Sequence, residues 1–438
     1  MSQPDAASFS FVNSPVASGA VPGVVVSPPR DVVLSRAEQL AVQALLAVGV
    51  LGVLTRLVVI AISNGSNDML TWGDFAGYIN AHGLWRTYRD LHEFNHPPLM
   101  GLLAAGLMKL SVWLHVPFRI SWKLPPLVAD VCALRLLWGH FKPQGKLWAA
   151  AAVALFSINP VSISVTAFHG NTDSVCAVLC LVAALLHRRD RLFFAGLALA
   201  GAANVKVFPL VLAPGFLLLC RDPRAALRFL VGMGLGCLPL LVACLVVPHE
   251  FYSNALHYNS QLDRWGLGAW ALDAQGQYPH FHRLITQKYR EVGRFVILLV
   301  GVLFALLGRS VRWDAVRVGA LCLAAFLFLA PGFGVQYLVW PVPLLAAASL
   351  RYSAWWALLG GSFALLVYQS FLVAHEWPLH SDHAVIIDPT SGLVGLCAWA
   401  VLGFFIYSEL RAALRDPESV RLRRSAGQWL AVTLRRSP

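Results

Sequence analysis

The organisation of the chain is set by residues 63–99, SNGSNDMLTWGDFAGYINAHGLWRTYRDLHEFNHPPL, a polar stretch between two strongly apolar segments. It contains four acidic residues, Asp68, Asp74, Asp90 and Glu93. Carboxylates are costly to place beside hydrocarbon, so acidic groups gathered at the end of a membrane span indicate a functional site. The content of Trp, Tyr and Phe is unlike that of a disordered tract. We therefore expect a functional loop; the alternative is a solvated loop without chemistry.

The composition is that of a membrane protein. Of the 438 residues, 58% are hydrophobic and 13% are charged, and the mean hydropathy is +0.64. Soluble domains carry roughly 25% charged residues, and a helix needs about 20 apolar residues to cross hydrocarbon. The recurring apolar runs predict an all-α, polytopic helical membrane protein with about 12 transmembrane helices.

The formal net charge of +12 reports topology and does not indicate nucleic acid as a partner. The Lys and Arg residues fall in short clusters between apolar runs and near the C-terminus, and such clusters favour the cytoplasmic side. This rule favours a helix over Leu99–Leu114 that lies in the outer interface, or dips into the membrane, without crossing it. It also places Arg56 near the outer end of the first span, where it either snorkels or faces the active cavity.

The predicted organisation has three parts. Residues 1–38 form a flexible cytoplasmic tail, residues 39–408 form the transmembrane domain, and residues 409–438 form a basic cytoplasmic tail that is attracted to anionic lipids. The transmembrane domain carries outer loops at 63–98 and 248–294, and we expect a break in the apolar run at Ala203–Pro209. Membrane lipids are therefore expected partners.

On this topology, most polar residues with a chemical role meet on the outer side. The candidate site residues are Asp68, Asp74, Glu93, His96, His169, Asn171, Asp173, Lys206, Arg264 and Gln336. Their carboxylates suit acid–base chemistry, and their cationic side chains near membrane depth suit a phosphate or another acidic partner. His169 is equally interpretable as a structural histidine; the alternative for His96 is packing at the entry of a helix, and for Asp68 it is a loop-capping role.

Several segments carry a family likeness: WGDFAGY (72–78), FNHPPL (94–99), FHGNTDS (168–174), NVKVFPLVLAP (204–214) and PGFGVQYLVWPVP (331–343). In this order they resemble the GT-C glycosyltransferases, and most of all the lumenal glucosyltransferases that use dolichyl-phosphate-glucose. Three features depart from that family: His96 stands where Tyr usually precedes Pro-Pro, FHGNT replaces an HFQYN-type segment, and the chain is short for the eukaryotic enzymes.

The resemblance implies transfer of a hexose, glucose or mannose, from a polyprenyl- or dolichyl-phosphate-sugar with inversion. The acceptor would be a lipid-linked glycan, another lipid or a protein, at the lumenal face of the endoplasmic reticulum or the periplasmic face of a bacterial inner membrane. Asp74 would be the general base, with Asp68 as second choice. Phosphate would be bound by Lys206, Arg264 and His169.

Among the remaining candidates, Glu93 would orient the acceptor and His96 would stack on it. No cofactor is required on this interpretation, and a divalent metal is possible but not favoured, because no DxD pattern is present. The alternative from another class is a transporter or flippase of a lipid-linked or small substrate that catalyses no sugar transfer. Transporters usually show related halves and broken helices at the midplane, whereas here the polar groups cluster in outer loops.

Overall fold

The computed structural model describes residues 34–257, 265–266, 279–370, 379–380 and 389–415. The described part is predominantly helical, in agreement with the predicted all-α class. The helices are α1 (Arg36–Ile62), α2 (Asn67–His82), α3 (Leu84–Asp90), α4 (Pro98–Leu114), α5 (Phe118–Phe141), α6 (Lys146–Ser157), α7 (Pro160–Ile163), α8 (Asp173–Arg188), α9 (Leu192–Val205), α10 (Ala213–Leu218), α11 (Pro223–Gly236), α12 (Leu238–Val246), α13 (Pro248–Phe251), α14 (Pro279–Ser310), α15 (Ala315–Phe328), α16 (Val342–Ala348), α17 (Leu350–Trp355), α18 (Gly361–Ser370) and α19 (Pro389–Arg415).

Short irregular turns of helix join several of these elements. The 3₁₀ segments are Lys142–Gln144, Phe208–Leu212 and Val335–Val339, and the π-helical segments are Ser164–His169, Tyr252–Leu256 and Trp356–Gly360. Two short strands, β1 (Ser63–Gly65) and β2 (Leu379–His380), pair in parallel. The sequence did not predict this pairing, because three polar or small residues carry no strand periodicity.

The apolar surface of the described part fits a membrane environment. Three helical segments are long and apolar enough to cross a bilayer, Arg36–Ile62, Glu291–Ser310 and Gly392–Arg415, and two bent pairs would raise the number to five. Large side chains on α1, α12 and α14 are exposed, including Leu54 (50%), Leu245 (82%) and Phe295 (60%). Exposed apolar areas of this extent mark a lipid-facing surface. The count of about 12 spans stays a prediction.

Two breaks in the apolar runs, of which only the one at Ala203–Pro209 was predicted, position the polar residues. Helix α9 ends at Val205, Lys206 is extended (φ −154°, ψ 141°), and the chain continues as a 3₁₀ turn. This confirms the predicted break at Ala203–Pro209. Asn159 caps the segment that begins at Pro160, which is bent by 45° from α6. Both breaks place polar residues at the ends of apolar helices.

The expectation that Arg56 snorkels or faces the active cavity is wrong. Arg56 is 1% exposed, and its Nε lies 2.7 Å from Oδ2 of Asp130 on α5. The guanidinium also donates to the hydroxyl of Ser162 at 2.8 Å. A buried cation needs a paired charge and further hydrogen bonds, and both are supplied by neighbouring helices. Arg56 is therefore part of the packing between α1, α5 and α7.

Candidate active site

One cavity of about 620 Å³ lies where α2, the loop before α4, the break after α9 and the segment before α16 meet. Six of the predicted site residues line it: Asp68, Glu93, His96, Asn171, Lys206 and Gln336. His169 and Asp173 contact these lining residues from the protein interior. The structure thus brings together eight of the ten candidates, drawn from segments far apart in the sequence.

Asp68, in the first turn of α2, presents a carboxylate to the cavity. Its Oδ2 lies 2.9 Å from Nε2 of His169 and accepts a hydrogen bond from Nδ2 of Asn171 at 3.1 Å. Nδ1 of His169 lies 3.0 Å from the hydroxyl of Tyr368, which fixes the imidazole. Among the described residues, none makes a hydrogen bond to Oδ1 of Asp68, whose side chain is 46% exposed. Oδ1 is therefore available to a ligand.

The environment of Asp68 keeps this carboxylate ionised. Burial by itself would raise the pKa of Asp68, but His169, through its charge and its hydrogen bond, lowers it, and the charge of Lys206 adds to that effect. The net pKa lies below the ordinary value of Asp. A carboxylate that stays negative in this cavity can accept a proton or a hydrogen bond from a bound hydroxyl.

Lys206 supplies a positive charge to the same cavity. Its Nζ lies 3.1 Å and 3.0 Å from the two carboxylate oxygens of Asp173, which is fully buried. The indole of Trp340 also donates to Asp173, at 2.6 Å. The ammonium lies 4.9 Å from the ring centre of Tyr337 and 5.8 Å from that of Trp340. Lys206 is therefore held by one charge pair and two aromatic faces, with 22% of its side chain exposed.

The turn His169–Asp173 connects the acidic and the basic group. Asn171 donates to Asp68 and accepts from the backbone N–H of Asp173 at 3.2 Å. Gly170 adopts φ +72°, and a Cβ there would lie 2.7 Å from Sδ of Met69. Only glycine fits this left-handed, crowded position. The sequence HGNTD thus folds into a turn that holds Asp68 at one end and Lys206 at the other.

Aromatic rings form much of the cavity wall. The ring of Trp340 stacks on two other rings, and its centre lies 3.7 Å from that of Phe208 and 4.0 Å from that of Tyr337. Across the cavity, the ring of His96 packs on that of Trp72, with 4.2 Å between the ring centres. Flat rings of this kind suit the apolar faces of a sugar, and these rings come from four separate segments.

His96 lies among these rings as a neutral side chain. Burial lowers its pKa to about 3, with the charge of Lys206 acting in the same direction and that of Asp68 opposing it. A neutral imidazole cannot neutralise a phosphate, but it retains a ring face and hydrogen-bonding atoms. The expected stacking of His96 on an acceptor stays a prediction, since its ring packs here on Trp72.

Part of the cavity wall was missed by the sequence analysis. Arg294 of α14 lines the cavity as an exposed side chain, and Val211, Ile297 and Leu298 form an apolar side of the cavity next to it. The sequence predicts an outer loop that ends at Arg294, which makes this arginine a boundary residue. The position of Arg294 at the start of an apolar run was the sequence signal that could have indicated its place in the cavity wall.

Two of the predicted site residues are not in the cavity as described. Asp74 is exposed and does not line it, because six positions along α2 turn the helix by about 240° from Asp68. Arg264 lies outside the described residues. The geometry favours Asp68 over Asp74 as the reactive carboxylate, and the assignment of Asp74 as a base stays a prediction.

The described residues offer no ready metal centre. Among them, no group of three or more His, Cys, Asp or Glu side chains is arranged to hold a metal ion. The acidic and basic groups of the cavity are instead paired with each other or with protein donors, as at Asp173 and Lys206. The expectation that catalysis does not depend on a divalent metal stays a prediction.

The cavity combines a free carboxylate oxygen, a fixed ammonium and aromatic walls, and it lies among lipid-facing apolar helices. This combination fits a membrane transferase that acts on a sugar. Residues 94–332, more than half of the chain, match the model of glycosyltransferase family 87, and the protein belongs to that family. Comparison with curated proteins gives no match. The predicted membership of a GT-C-like membrane glycosyltransferase class is therefore supported, whereas the narrower likeness to dolichyl-phosphate-glucose enzymes stays a prediction.

Proposed function

We propose that the protein transfers a hexose from a polyprenyl-phosphate-hexose to an acceptor hydroxyl within the 620 Å³ cavity. The observation that carries this proposal is the joint placement of Asp68 and Lys206. Both line one cavity, and both are held by the single turn His169–Asp173. Glycosyl transfer from a phosphate needs a base for the acceptor and a cation for the leaving group.

The lipid-linked nature of the donor is supported by the wall that contains Arg294. A phosphate between Lys206 and Arg294 would have its charge neutralised in a largely apolar setting. A polyprenyl chain attached to that phosphate would find Val211, Ile297 and Leu298 alongside. A water-soluble nucleotide donor would leave this apolar wall without a partner.

In the proposed reaction the acceptor oxygen attacks the anomeric carbon of the donor sugar. Its proton passes to Oδ1 of Asp68 as the new carbon–oxygen bond forms. The bond from the anomeric carbon to the phosphate oxygen breaks, and its electron pair leaves with the polyprenyl phosphate beside Lys206. Direct displacement inverts the anomeric centre. Phosphate is a good leaving group, so a carboxylate of low basicity suffices to take up the proton late in the step.

Other lining residues would position the two substrates. Glu93 and Gln336 line the same cavity and suit hydrogen bonds to sugar hydroxyls, while Trp72 and His96 offer ring faces. The acceptor would be a lipid-linked glycan, another lipid or a protein, and the hexose would be glucose or mannose. These choices depend on groups at the cavity rim and leave the role of Asp68 unchanged.

The cavity is proposed to open on the extracytoplasmic side of a protein with about 12 spans. Helix α8 runs from Asp173 at the cavity to Arg188, about 22 Å away, and Arg188 pairs with Asp314 at 3.3 Å. The basic residues of the described part are concentrated at this far end. Basic ends favour the cytoplasm, so the cavity would face the periplasm of a bacterial inner membrane or the lumen of the endoplasmic reticulum.

The test is donor turnover by the purified protein, with polyprenyl-phosphate-glucose and polyprenyl-phosphate-mannose as donors. Release of polyprenyl phosphate should require an acceptor, and Asp68→Asn should reduce turnover by about 10²-fold or more. Asp74→Asn is the matched control and should retain turnover. Activity that survives in Asp68→Asn but is lost in Asp74→Asn would return the base to Asp74. Uptake of a solute into vesicles without donor turnover would support a transporter instead.

A further inference from the structure

A second cavity, of about 340 Å³, lies beside the C-terminal end of α19. It is lined by Tyr352 of α17 together with Phe404, Tyr407, Arg411 and Arg415 of α19. The two arginines are four positions apart and so lie on one face of the helix. The cavity therefore combines two guanidinium groups with aromatic walls, and it shares no residue with the active cavity.

This second cavity lies at the opposite end of the helices from the active one. Phe326 of α15 lines the active cavity, and Arg317, about 14 Å earlier along the same helix, pairs with Glu409 of α19 at 3.1 Å. Glu409 lies between Ser408 and Arg411, which both line the second cavity. Helix α19 is also one of the segments long and apolar enough to cross a bilayer. The second cavity therefore opens at the basic end of the protein.

The charges of this cavity are not neutralised by the described protein. Arg411 and Arg415 are exposed and form no ion pair with any described residue, whereas the neighbouring Arg317 is paired with Glu409. The following segment, residues 416–438, contains five arginines and two acidic residues. Its net positive charge does not complement two further arginines. An anionic partner from outside the chain complements them.

The walls indicate that this anion carries hydrocarbon. Phe404 is 64% exposed and Tyr407 is 58% exposed, one to two turns before the arginines on the same helix. Exposed aromatic residues next to guanidinium groups are typical of the boundary between headgroups and acyl chains. Basic pockets between membrane helices on the cytoplasmic side bind anionic headgroups. We propose that this cavity binds the phosphate headgroup of an anionic phospholipid through Arg411 and Arg415, with its acyl chain along Phe404.

The experiment measures retention of phosphatidylglycerol by the full-length protein in detergent, by native mass spectrometry and by titration. The variant R411Q/R415Q should bind this lipid more weakly by a factor on the order of ten or more, because each arginine near a headgroup contributes roughly fivefold. The matched control is R221Q/R224Q, which removes two exposed arginines from the same basic end but outside the cavity. The control should bind within about twofold of the unmodified protein.

Several outcomes would overturn the proposal. Equal loss in both double variants would mean that diffuse surface charge attracts the lipid. No loss in either would mean that the cavity does not bind it. Inorganic phosphate that displaces the lipid at equal concentration would show that the headgroup alone is recognised.

The lysine variant R411K/R415K, which keeps the charge, should retain most of the binding. Size-exclusion profiles report whether each variant is folded.

Discussion

A comparison of Lys206→Met with the double variant Lys206→Met/Asp173→Asn separates two tasks of this lysine, catalysis and the neutralisation of Asp173. Lys206 is the charge partner of a fully buried carboxylate and also lines the cavity. A loss of activity in Lys206→Met alone would therefore be ambiguous. The double variant Lys206→Met/Asp173→Asn removes both charges at once. Asn in place of Asp173 still offers an oxygen to the indole of Trp340, which donates to Oδ1 in the structure.

The expected changes in stability follow from burial. Lys206→Met leaves the Asp173 carboxylate at 0% exposure without its counter-ion, and breaking a buried pair in this way costs about 3–5 kcal/mol. Asp173→Asn should cost less, because the ammonium is 22% exposed and keeps its contacts with the rings of Tyr337 and Trp340, each worth about 0.5–2 kcal/mol. The double variant should recover most of the stability lost in Lys206→Met.

The expected changes in activity differ from those in stability. If Lys206 stabilises the departing phosphate, the double variant should remain about 10²–10³-fold slower than the unmodified protein although it is stable. The assays are thermal unfolding in detergent and acceptor-dependent release of polyprenyl phosphate, measured on the same preparations. Full recovery of both stability and turnover in the double variant would refute the reasoning, because Lys206 would then be only the counter-ion of Asp173.

Two further predictions concern the turn that holds both charged groups. Gly170→Ala should destabilise the protein by about 1–2 kcal/mol because of its left-handed backbone alone, and the close approach to Met69 should add to this loss. The control in thermal unfolding is Gly77→Ala, where the added methyl group would meet nothing within 4 Å. His169→Gln should raise the pKa of Asp68, since burial is then opposed by fewer groups. A lowered pKa keeps the carboxylate of Asp68 ionised down to low pH. A rise in this pKa should therefore move the acidic limb of the pH–rate profile to higher pH. An unchanged limb would mean that Asp68 does not control the rate.

Several features of the site could be predicted from short sequence patterns. The segments HGNTD and NVK each lie at a break in an apolar run, and a polar group at such a break faces the end of the helix bundle. Counting basic clusters was sufficient to place Asp68, Asn171 and Lys206 on one side of the protein. The structure brings these residues into one cavity. Pairings within the cavity, such as Asp173 with Lys206, depend on side-chain geometry that the pattern does not contain.

Other features depended on helix phase and distant contacts. The stretch containing Asp68 and Asp74 has no strong apolar periodicity, so the sequence could not indicate which of the two faces the cavity. The partner of Arg56 is Asp130, 74 positions away, and no local pattern identifies a pairing of that separation. Arg294 was assigned to a loop boundary, although it lies inside α14.

The turn His169–Asp173 has a consequence for how the substrate range of such an enzyme can change. Because one short segment holds both Asp68 and Lys206, the proposed base and the proposed leaving-group cation, their separation cannot be adjusted by substitutions on one side alone. Variation that preserves the reaction is therefore confined to the rim formed by Glu93, Gln336 and their neighbours. Redesign for a new acceptor should diversify that rim and leave the five residues of the turn constant.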